Sequence, residues 1–112
     1  MRLRSDIWVS AYLRRCASEG AFAVLRRRGA AEAGAIFVRV DGQGSVCQLY
    51  GPAPQSELRN DGVDRQWTRL HEAPSVSGLE AEERLKRELK FDPDIWIVEV
   101  ENSRGEHFLD LA

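Results

Sequence analysis

The spacing of apolar side chains along the chain changes several times, and each change marks an element. From Asp6 to Glu19 the residues Trp8, Val9, Tyr12, Leu13, Cys16 and Ala17 return every three or four positions, one stripe on a helix. Ser5 stands where a side chain caps the first turn, Asp6 suits the positive end of the helix dipole, and Gly20 suits a left-handed exit. The period then shortens. Phe22 to Arg28, Ala35 to Val40 and Ser45 to Tyr50 read as strands, divided by the glycine-bounded stretch Gly29 to Gly34 and by Asp41-Gly42-Gln43-Gly44. Ile36, Val38 and Val40 alternate with Phe37 and Arg39, which predicts a central strand. Connections this short predict an antiparallel meander, with Gly51-Pro52-Ala53-Pro54 closing its third strand.

Beyond the prolines, Gln55 to Val63, carrying Asn60-Asp61-Gly62, reads as a loop. Asp64 to Glu72 reads as a fourth, polar strand near a sheet edge, with Arg65, Arg69 and His71 on a solvated face. The second helix has the sharpest start signal: Ser77 and Glu80 at capping-box spacing, with Val76 and Ala81 placed as a hydrophobic staple. Ala81, Leu85 and Leu89 then form a single apolar stripe among charges, so this helix covers a sheet face and leaves its other side wet. Pro93 ends it by Lys90 or Phe91, and Ile95 to Glu101 follows as a strand that turns Trp96, Val98 and Val100 to the core. The order predicts an α+β fold: a mostly antiparallel sheet of four to five strands, an N-terminal helix, and a second helix before the last main strand.

Length fits one domain over residues 1–112, with a core over about 5–101 and residues 102–112 as a tail or short edge strand. The 43% hydrophobic and 30% charged fractions are those of an ordinary globular protein. The apolar stretch after the basic opening residues is too short and polar for a signal sequence, and nothing approaches the ~20 apolar residues of a membrane helix. Two isolated cysteines, Cys16 and Cys47, suit a reducing compartment, so the expected location is cytoplasmic. Charge is unevenly spread: residues 1–40 hold eight arginines against Asp6, Glu19 and Glu32, and the acidic excess lies in the rest. Such a division fits an anionic partner, self-association, or two faces that attract each other within one fold.

Four groups of short motifs carry a family likeness. They are Trp8-Val9-Ser10-Ala11 before Leu13-Arg14-Arg15; Arg27-Arg28-Gly29 before Glu32-Ala33-Gly34-Ala35-Ile36; Leu49-Tyr50-Gly51-Pro52-Ala53-Pro54-Gln55; and Phe91-Asp92-Pro93-Asp94-Ile95-Trp96. Together, over residues 3 to 101, they resemble domain of unknown function 1491, a family of short single-domain proteins of alphaproteobacteria. That resemblance implies no activity, ligand or catalytic residue.

Candidate chemistry is therefore weighed from the side chains. Arg14, Arg15, Arg26 and Arg28 form the anion-binding candidate, since guanidinium groups grip phosphate and carboxylate in bidentate fashion; amides of the loop between Gly29 and Gly34 would add to it. The competing reading is a solvated strand end neutralised by the acidic half. Alternation puts Arg26 and Arg28 on one face and Arg27 on the other. Tyr50, Pro52 and Pro54 offer a pre-ordered lip for a partner protein and Trp67 a further interface candidate, against the plainer reading of a strand exit and core tryptophans. Asp92 and Asp94 flank a routine turn, and no His-x-x-His, Cys-x-x-Cys or Glu-x-x-His spacing occurs, so no cofactor, metal or catalytic residue is expected. A sequence pI near 5.7 argues against nucleic acid as partner. The expectation is a non-catalytic binding or protein-interaction module, with a homo-oligomer as one form of it. An enzyme or sensor for a small anion, using the arginines, is the alternative.

Overall fold

The computed structural model describes residues 2–59 and 64–112. Residues 60–63 of the expected loop lie outside the described residues. Helix α1 (Ser5–Ser18) is followed by strands β1 (Phe22–Arg27), β2 (Ile36–Asp41) and β3 (Val46–Pro52) and a single 3-10 turn at Gln55–Glu57. Strands β4 (Trp67–Arg69) and β5 (Val76–Ser77), helix α2 (Gly78–Phe91) and strand β6 (Trp96–Glu101) complete the order. The fold is α+β, as the alternation of patterns implies.

The sheet runs β1-β6-β2-β3-β4, with β5 also paired to β3. All pairings are antiparallel except β2 with β6, which run parallel from Ile36↔Trp96 to Asp41↔Glu101. The expected meander therefore holds for β2-β3 and fails at its first step, while β4 lies at a sheet edge as expected. Strand β6 is buried over Trp96 to Val98 and takes the slot between β1 and β2. A strand apolar on both faces belongs in a sheet's interior, whereas β1 alternates between exposed and half-buried residues and goes to the edge.

Each face of the sheet is covered by one helix. Val9, Tyr12 and Cys16 of α1 pack with Ile36, Val38, Val40, Trp96, Val98 and Val100. Leu85 of α2 packs on the other face with Phe37, Leu49, Ile95 and Ile97. Gly20 has φ +81°, and its amide and that of Ala21 bond back to Ala17 and Cys16, which closes α1 as a Schellman turn. At the other end Ser5 is the first helical residue rather than the cap. Its hydroxyl donates to the Gly34 carbonyl at 2.7 Å, while the Ser5 and Asp6 amides donate to Glu32 and Ala31. Helix α2 starts with the expected capping box of Ser77 and Glu80.

Strand β4 is only three residues long, much shorter than Asp64 to Glu72. Arg65 is not on a solvated face: it is 7% exposed, and its guanidinium donates to the Leu3 carbonyl and the Ser5 hydroxyl. Strand β3 in turn runs on through Gly51 and Pro52, pairing Pro52 with Trp67. The prolines end the strand two residues later than the sequence suggests, because a proline's missing donor is harmless at a strand terminus.

Candidate functional site

The four candidate arginines are divided by the fold. Arg14 lies on the outer side of α1 and Arg28 follows β1, and both line a groove of about 530 Å³ between these elements. Its walls are Ile7, Val9, Leu13, Leu25 and Trp96, with Ser10 and Asp6 as the polar neighbours. Arg15 faces another way, its guanidinium 5.7 Å from the Phe108 ring. Arg26 points to the opposite side of the sheet.

A bulge causes that separation. Leu25 pairs with Val98 and Arg27 with Ile97, so Arg26 is an extra residue opposite a single step of β6. Strict alternation would keep Arg26 and Arg28 together; the inserted residue reverses the parity. Arg26 bonds Glu82 of α2 at 2.7 and 2.8 Å, Arg27 reaches along the edge to the Pro93 carbonyl at 2.7 Å, and Arg28 stacks 5.2 Å from the Trp96 ring.

Among the described residues neither the Arg14 nor the Arg28 side chain forms a hydrogen bond or an ion pair. Asp6, the acid beside them, is already held by Arg4, whose Nε and Nη2 both lie 3.2 Å from its carboxylate oxygens. Those bonds hold the Asp6 carboxyl below the usual carboxylate range. Within the loop of residues 29–34, two amides are taken up inside the protein. The Ala30 amide donates to Asp94 and that of Gly34 to Ala30, while the loop's carbonyls receive the start of α1.

The second polar cluster was not legible as a site in the sequence. Glu82 bridges Arg26 and Arg39, with Arg39 Nη1 at 2.7 Å, and Arg39 also donates to Asp41 at 3.0 Å. Hydrogen bonds from Arg26 and Arg39 outweigh burial and hold the Glu82 carboxyl down to about 2. Burial, then the neighbouring Asp41, pushes Glu99 up. The one signal available was Arg39 itself, a charge inside an otherwise apolar central strand, which has to find a counter-ion. These groups satisfy one another, so the cluster ties α2 to the sheet.

Of the interface candidates, Pro52 and Pro54 are exposed and Tyr50 and Trp67 are buried. Tyr50 lies 4.9 Å from the His107 ring and Trp67 4.9 Å from Trp8. The proline lip thus lacks its aromatic anchor. Cys16 and Cys47 are buried, and burial pushes both thiols up, away from the reactive thiolate. His71 accepts from the Leu49 amide at Nε2 and its Nδ1 sits 2.7 Å from the Ala73 carbonyl, which fixes the neutral Nδ1–H tautomer. Asp92 accepts the Asp94 amide across the turn at 3.0 Å. Among the described residues no group of three His, Cys, Asp or Glu side chains is placed to hold a metal ion, and no helix is long and apolar enough to cross a membrane.

The motifs that suggested a family now have a setting, since Arg28-Gly29 borders the groove and Asp94 receives the loop behind it. A family model described as protein of unknown function DUF1491 matches residues 3–110. The chain belongs to the DUF1491 family. A crystal structure of a DUF1491 family protein from Caulobacter crescentus shares 34% identity, covers 99% of this chain and 97% of its own, and superposes with a TM-score of 0.80. A solution structure of a protein from A. tumefaciens shares 39% identity over 100% of this chain and 96% of its own, with a TM-score of 0.81. An NMR structure of a DUF1491 protein from Caulobacter crescentus gives 35% identity, coverage of 100% and 98%, and a TM-score of 0.81. None of the curated proteins matches the chain. DUF1491 is a family of unknown function, and the α1–β1 groove is the candidate site this chain offers.

Proposed function

We propose that this protein is a non-catalytic cytoplasmic binding module whose α1–β1 groove takes a small anion with an apolar portion. One observation carries the reading: Arg14 and Arg28 approach one apolar-walled groove from two elements, and among the described residues neither side chain forms a hydrogen bond or an ion pair, the nearby Asp6 being held by Arg4. Guanidinium groups bind carboxylate and phosphate oxygens in pairs, and the Trp96 ring steadies one of them. The groove volume falls in the range of small-molecule sites, and its aliphatic walls suit a short chain or ring rather than a bare inorganic ion. Burial of both thiols, which keeps them protonated, supports binding over catalysis, and their being free supports a reducing compartment.

The test is thermal unfolding against decyl phosphate, dodecanoate, inorganic phosphate and neutral decyl maltoside. A ligand bound by the folded state at 100 times its dissociation constant stabilises by about 2.7 kcal/mol. The anionic amphiphiles raise the melting temperature and the neutral detergent does not. Replacing Arg14 and Arg28 together by alanine abolishes the shift while leaving the unliganded melting temperature nearly unchanged. Equal shifts in the double variant, or no shift with any anion, overturn the reading.

A further inference from the structure

The two edges of the sheet are finished differently. On the β4 side the C-terminal segment closes the edge: the Trp67 amide donates to Asp110, the Ala112 amide donates to Trp67, and Leu111 makes a parallel bridge to Trp67. On the other side β1 is the last strand, and among the described residues its outer backbone groups meet no neighbouring strand. Natural edges are guarded by prolines, lysines or charges that face outward. Strand β1 has no proline or lysine, and its two arginines are already held, Arg26 by Glu82 and Arg27 by the Pro93 carbonyl along the edge. What it presents instead is Phe22, 68% exposed, and Val24, 39% exposed, on the sheet face opposite α1.

We infer that β1 pairs with β1 of a second copy, antiparallel about a two-fold axis at Val24, joining the two sheets into one. The occupant follows from the strand's self-complementarity in that register. Val24 meets Val24, Ala23 meets Leu25, and Phe22 meets the aliphatic stem of Arg26, whose guanidinium stays on Glu82. The same antiparallel arrangement brings Arg27, at the basic end of one strand, towards the Glu19 turn that precedes the other. Opposite charges therefore meet at both ends of the seam, and like charges do not. The bulge at Arg26 limits the pairing to the stretch from Phe22 to Arg26.

The geometry makes a test that only this register passes. Residues opposite each other in an antiparallel pair have Cα atoms about 4.5–5.5 Å apart, within the span of a disulfide. Two copies of Phe22, four register steps apart, are separated by roughly 13 Å at ~3.4 Å per residue. Under mild oxidation V24C forms a covalent dimer at least tenfold faster than F22C; the native cysteines are buried. Sedimentation of the unmodified protein shows dimer that dissociates on dilution, and V24K, which places two ammonium groups at the axis, is monomeric with an unchanged circular dichroism spectrum. A monomer at every concentration overturns the inference. So does a V24K dimer, or a V24C variant that links no faster than F22C.

Discussion

Two glycines decide how the groove's rear wall is built. A Cβ on Gly29 would lie 2.2 Å from the Asp94 carbonyl oxygen and 2.6 Å from Trp96, and one on Gly34 would lie 2.4 Å from the same oxygen. That closeness lets the Trp96 indole donate to the Ala30 carbonyl at 2.7 Å. Gly29→Ala is expected to cost about 3 kcal/mol, since backbone is the clashing group, and chemical denaturation will measure it. The sequence marks both positions as glycine and gives no hint that crowding, rather than a turn, is the reason. Glu82 offers a second residue-level expectation. Its folded-state value lies near 2, below its ordinary one, so its contribution is present above the usual carboxylate range and is lost as pH falls towards 2. With a third of the side chain exposed, Glu82→Gln should cost about 1–2 kcal/mol at pH 7 and almost nothing at pH 2. Denaturant titrations at those two values will check both size and sign.

Elements differ in how plainly they are written. Helix α2 is legible because its cap, its stripe and its stop at Pro93 are all local. Strand β4 is not, because three residues of pairing beside a buried arginine leave no alternation to read. The bulge in β1 is invisible for a similar reason: its extra residue is defined only by the partner strand. The segment after β6 forms a lid on α1, where the Tyr12 hydroxyl donates to the His107 carbonyl at 2.7 Å and His107 Nδ1 accepts the Leu109 amide at 2.9 Å. Burial lowers the His107 value below that of a free imidazole. The neutral ring's contribution is therefore held above the ordinary histidine range and lost as pH falls through it. The wild-type protein should lose stability between pH 7 and pH 5, and His107→Ala should flatten that slope, as read by tryptophan fluorescence during urea unfolding.

At the scale of the molecule, the basic first part and the acidic remainder meet across the sheet rather than forming two external fields. Arg26 and Arg39 come from the former, Glu82 and Glu99 from the latter, and they join in one partly exposed network. Raising salt from 0.05 M to 1 M should therefore lower the melting temperature slightly, by no more than about 1 kcal/mol of stability, and a rise would contradict this arrangement. Composition announced the charge division, but only topology shows that part of it is spent internally, with Arg14 and Arg28 among the arginines that form no ion pair with the described residues. The insertion of β6 between β1 and β2 has a kinetic consequence as well. While a ribosome is still making this chain, its first two strands wait around a gap that residues 96–101 must fill, so the sheet forms late and cooperatively. A nascent chain stalled before Trp96 is left with β1 as a lone strand apart from the sheet of β2 to β5, the species on which a chaperone would act.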